Sequence, residues 1–118
     1  MSKTYHTLRK TDASVTALKQ GNDQVASHFN RIIADAGKLS DEVVEAFTTT
    51  LTNQMNDAAA SLKYDQNHKN DHLHTPLSEE SRKTLARIRQ NCSDMLKEIK
   101  VITKQRDELD ELEKLLNS

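Results

Sequence analysis

From residue 78 to residue 116 the chain holds neither glycine nor proline. Apolar residues recur there at Leu85, Ile88, Cys92, Met95, Ile99 and Ile102, then at Leu109, Leu112 and Leu116. The early spacings alternate three and four, the heptad seam of a helix that packs along one line. About 40 residues of helix extend about 60 Å at 1.5 Å per residue. A compact domain of this chain length would have a radius of gyration near ~14 Å. Such a helix either protrudes and meets partners or makes the whole molecule a rod.

The remaining residues restrict what can pack against that helix. Aromatic residues make up 3 % of the chain, with no Trp, while charged residues make up 30 %. Large buried side chains are scarce, so thin helix-on-helix layers replace a thick core. No stretch alternates with period two, as a half-buried strand would. The expected fold is all-α: an elongated bundle of about three helices with a long, coiled-coil-like C-terminal helix. It forms a single domain over residues 1–118.

The first helix is expected over about 4–36, carried by Leu8, Val15, Leu18, Val25, Phe29 and Ile32, with Ala36 closing it. Thr11 and Asn22 take intervening seam positions, where a polar residue commonly sets register. Gly21-Asn22-Asp23 predicts a bend, because Gly and Asn are weak helix formers. Gly37 is a natural stop. Ser40 then reads as an N-cap, with Asp41 and Glu42 at the positive end of a second helix over about 41–62. Its apolar face is Val44, Phe47, Leu51, Met55, Ala58 and Leu62. A polar loop follows over 64–76. Thr75 or Ser78 caps the third helix, about 78–116, with Pro76 tolerated in its first turn.

Little in the chain carries chemistry. Cys92 is the single cysteine and sits on the seam, where it reads as a small buried hydrophobe. No Gly-rich phosphate loop, His-Glu-x-x-His pair or nucleophile elbow occurs, so no enzyme activity, cofactor or metal is assigned. His68, His72 and His74 cluster in the polar loop but match no zinc spacing. They keep open a metal- or pH-responsive regulator, although a solvated linker explains them more simply. The formal net charge is −1, so no nucleic-acid binding is expected. A nucleic-acid-associated reading rests only on the basic start at Lys3, Arg9 and Lys10. No apolar run of membrane length and no signal-peptide-like start occurs, so no membrane insertion is expected, and one cysteine suits a reducing, intracellular, cytoplasmic setting.

Two segments resemble the central V-shaped helical domain of ALIX-like proteins, the ESCRT-associated adaptors. The first is Leu18-Lys-Gln-Gly-Asn-Asp-Gln-Val25 with Phe29, Ile32 and Lys38-Leu39. The second is Leu96-Lys-Glu-Ile-Lys-Val-Ile-Thr-Lys-Gln-Arg-Asp-Glu-Leu109, which is similar to that family's long arm helix. The resemblance covers about two-thirds of the chain. It implies an adaptor whose arm binds Tyr-Pro-x-Leu-type peptides through an apolar pocket, with Ile102 at one pocket position and Asn91 where the family has an apolar residue. The family's Pro-containing element after the first arm helix is missing from Ala46-Phe47-Thr-Thr-Thr.

These readings predict a non-enzymatic helical adaptor or scaffold that works through helix–helix contacts. The interface residues expected are Ile99, Ile102, Leu109, Leu112 and Leu116. The partner is another protein, a second copy of the chain, or both, joined through the C-terminal helix. Residues 85–102 serve the fold, and the leucines beyond Lys104 serve the partner.

Overall fold

The computed structural model describes residues 11–34 and 39–118, and every regular element among them is a helix. They are α1 (Asp12–Ala34), α2 (Asp41–Asn67) and α3 (Glu79–Leu116). The expected helical start around Leu8, the basic residues Lys3, Arg9 and Lys10, and Ala36 and Gly37 lie outside the described residues. The molecule measures 69 × 29 × 19 Å, with a radius of gyration of 18.1 Å. That exceeds the roughly 14 Å of a compact chain this long, as an elongated bundle requires.

Direction follows from contacts at the two ends. Asp12 at the start of α1 reaches Ser78 and Ser81 at the start of α3. These two helices therefore run parallel. Leu39, just before α2, meets Arg106 late in α3, whereas Asp65 late in α2 meets Leu77 just before α3. So α2 and α3 form an antiparallel hairpin and α1 lies alongside, giving an up-down-up bundle.

The core lies where the three seams meet. Val15, Leu18 and Phe29 come from α1, Leu51 and Ala58 from α2, and Leu85, Ile88, Cys92, Met95 and Ile99 from α3. Burying a Leu or Ile side chain contributes roughly 1.5–3 kcal/mol, so the heptad positions of α3 supply much of the stabilisation. Phe29 and Phe47 meet edge to face, 5.6 Å between centroids and 75° between planes. That geometry suits the ring quadrupoles.

α1 runs unbroken through Gly21-Asn22-Asp23. Asn22 is 1 % exposed. Its Nδ2 donates to Gln54 Oε1 at 2.9 Å and to Cys92 Sγ at 3.3 Å. One side chain thus links all three helices at a single level, which sets their register.

Both serine caps form. Ser40 Oγ accepts from the Val43 N–H at 3.2 Å, and Ser78 Oγ accepts from the Ser81 N–H at 3.1 Å. Pro76 lies ahead of the third helix, not inside its first turn. The second helix corrects the expected boundary, since it runs to Asn67 rather than Leu62. Its last turns bury Ser61 and Asp65 instead of apolar residues, so the seam continues in polar side chains that hydropathy does not register.

Candidate functional site

Two places gather side chains with chemical or binding potential: the polar end of the bundle, and the part of α3 that runs past it. At the polar end, Asp65 is buried. Its Oδ1 accepts from the Leu77 N–H and pairs with His74 Nε2, both at 2.9 Å, while Arg82 Nη1 lies 3.6 Å from Oδ2. Arg82 also donates to the Leu77 carbonyl. Burial alone would raise the Asp65 pKa. The Leu77 N–H, His74 and Arg82 outweigh it and hold the carboxyl below its ordinary value.

His68 stacks on Tyr64 at 4.0 Å and sets its Nδ1 2.9 Å from the Tyr64 carbonyl oxygen; His74 meets the same ring edge-on at 5.4 Å. The expected solvated linker is therefore corrected at two of its three histidines, which build the turn between α2 and α3. His72 is exposed. Among the described residues, no group of three or more His, Cys, Asp or Glu is arranged to hold a metal ion.

Beside this clasp, Asp12 Oδ1 accepts from Ser81 Oγ at 2.6 Å and from the backbone N–H and hydroxyl of Ser78, each at 3.1 Å. The Ser81 hydroxyl, then the Ser78 N–H, lower the Asp12 pKa against a smaller opposing effect of burial. The carboxylate also sits at the positive end of α3. At the centre, burial pushes the Cys92 thiol up to about 11 even though Asn22 donates to it. At neutral pH the sulfur stays a thiol, which is a poor nucleophile.

The other place begins at Arg106. It stands seven residues after Ile99, on the face that α3 turns to the core, and its guanidinium closes the bundle there. Nη1 donates to the Leu39 carbonyl and Nη2 to Asp41 Oδ1, both at 2.9 Å, and Asp107 Oδ1 accepts at 3.0 Å. The hydrogen bond to Asp107, followed by that to Asp41, raises the Arg106 pKa although burial works against it. One turn earlier, the Thr103 hydroxyl is buried without a hydrogen-bond partner.

Every residue from Asp107 to Ser118 is exposed. This arm carries Leu109, Leu112, Leu115 and Leu116, which together with Val101 are 51–75 % exposed. Val101, Leu112 and Leu115 lie roughly 100–180° round the helix from Arg106, with Leu109 and Leu116 between. The exposed stripe thus points away from the bundle's own core. Of the expected interface residues, Leu109, Leu112 and Leu116 belong to this stripe. Ile102 is half-buried at its edge. Ile99 is corrected: at 4 % exposure it lies in the chain's own core. Leu115 and Val101 join the exposed stripe although they fall off the heptad line, and their signal is their distance round the helix from Ile99.

An open groove of about 600 Å³ lies between α1 and α2, lined by Val25, Ile32, Val43, Ala46 and Phe47, with Arg31 beside them. Among the described residues, no helix is long and apolar enough to cross a membrane. No family model, curated protein or solved structure matches the chain.

Proposed function

We propose that this protein is a non-enzymatic helical scaffold that associates with other protein through the arm of α3. The observation that carries this reading is the leucine stripe beyond Arg106, exposed to solvent and turned away from the core. Monomeric proteins seldom leave large contiguous apolar patches in water, and a helix presenting such a stripe is suited to packing against another helix. The charged residues of the arm set partner choice and orientation more than affinity. The polar end of the bundle serves as scaffold, since Asp12, Asp65, His68 and His74 are engaged in holding the helix ends together. The resemblance to adaptor arm helices accords with this role.

The test compares the wild-type chain with Leu109→Asp/Leu112→Asp in two assays. One is sedimentation velocity over a concentration series. The other is capture of proteins from the native cell on the immobilised chain. Loss of self-association or of captured proteins in the variant, with helicity retained, supports the proposal. A variant that matches wild type in both assays overturns it.

A further inference from the structure

The charges along α3 constrain what covers the stripe. Residues 97–105 carry Lys97, Lys100 and Lys104 against Glu98, whereas residues 107–116 carry five acids against Lys114. The apolar stripe spans both zones, with Val101 in the basic one and Leu109, Leu112, Leu115 and Leu116 in the acidic one. A second helix lying parallel would set acid against acid and base against base. An antiparallel copy would set the acidic arm of each chain against the basic zone of the other. Such a contact is isologous, so each favourable pair occurs twice.

We infer that the occupant of the stripe is a second copy of this chain, its α3 antiparallel, with Val101 of each copy opposite Leu112 of the other; this rests on the arm being the association surface. The register follows from two requirements. Val101 lies eleven residues before Leu112, on nearly the same face, so facing them across a two-fold axis covers an apolar residue in each charge zone of the stripe. The same register sets Lys104 between the levels of Glu108 and Glu111 of the second copy. Lys97, Lys104 and Glu111 are spaced by sevens and share one flank of the stripe with Glu108. A two-fold axis perpendicular to the helices brings that flank of one copy against the same flank of the other. Arg106 is already engaged by Leu39 and Asp41. The orientation therefore rests on the exposed lysines. Each bundle core lies on the far side of its own α3, so the two bundles extend away from the shared arms.

Paired cysteines test both the partner and the direction. In this register Val101→Cys/Leu112→Cys brings unlike positions together, and mild oxidation links two full-length chains. Each single variant sets its two cysteines about 16 Å apart along the axis, beyond the roughly 7 Å Cα separation that a disulfide tolerates. Cys92 is fully buried and stays out of the exchange. The expected result is a covalent dimer from the double variant alone, with a wild-type mass that doubles with concentration. Lys104→Glu should weaken self-association by about tenfold.

Single variants that cross-link as readily as the double one would overturn the antiparallel register. A wild-type chain that stays monomeric at millimolar concentration would overturn the second-copy inference. In that case, capture of cellular proteins still decides separately whether the arm binds at all.

Discussion

At the end of the bundle where α1 and α3 begin, Asp12 and Asp65 gather backbone N–H groups, hydroxyls, an imidazole and a guanidinium from the single stretch 74–82. At the opposite end, Arg106 fastens α3 to the start of α2, and α3 then runs on into solvent. Both ends lie on the same helix and obey the same heptad spacing. They differ in what the seam positions meet. Where α2 and the loop fold back, the seam finishes inside the chain, beside the buried carboxylate of Asp65. Where no further helix covers α3, the apolar residues shift to the open side. One end of a bundle can thus be closed by polar side chains and the other left as a surface, within one uninterrupted helix.

The most forceful way to break this contrast is to place the same charge on each side of the Arg106 boundary. Ile99→Asp should unfold or severely destabilise the bundle, by about 3–5 kcal/mol or more, because it buries an unpaired carboxylate. Leu112→Asp should leave far-UV circular dichroism unchanged and alter only association. Equal melting losses for the two variants would abolish the distinction between core and arm. Next in size, Asp65→Ala should cost about 2 kcal/mol in denaturant unfolding, because the buried Leu77 N–H loses its acceptor. A loss of only a few tenths would mean that the clasp is incidental.

Acid should attack the closed end first. Asp12 and Asp65 have folded pKa values below their ordinary value of 3.8, so at low pH the unfolded chain binds more protons than the folded one. Stability therefore rises with pH through that region. It is fully present above about pH 5 and is lost as pH falls below about 4, toward the depressed values. Asp12→Asn/Asp65→Asn should flatten that acid limb in urea titrations. An unchanged limb would place the sensitivity elsewhere. The smallest effect is expected in the middle of α1. A Cβ at Gly21 would lie 3.6 Å from Gln54 Nε2, an ordinary contact. Gly21→Ala should therefore stabilise the bundle by about 0.5–1 kcal/mol, and a decrease in melting temperature would mean that the helices cannot accept the methyl group.

The all-α class, the seam from Leu85 to Ile99 and both serine caps were legible because each depends on local spacing or on neighbours within one turn. The end of α2 was not, since Asp65 faces a loop whose Leu77 N–H and His74 approach only after folding. Asn22 was legible as a polar seam position, but not as the group that links three helices, because Gln54 and Cys92 lie far along the chain. For the surface, the heptad line identified Leu109, Leu112 and Leu116 without giving their direction. A straight helix drifts by about 20° per heptad relative to a strict repeat of seven, and the turn of the stripe away from the core follows from where α2 begins.

The hydrogen bonds of Asp12 have a consequence for how the chain opens. This carboxylate supplies acceptors to a helix start 66 to 69 residues away. When α1 detaches, the first turn of α3 loses them at the same moment. Amide exchange at Ser78 would therefore report the undocking of a helix to which that amide does not belong. The start of α3 acts as a built-in gauge of whether α1 is seated.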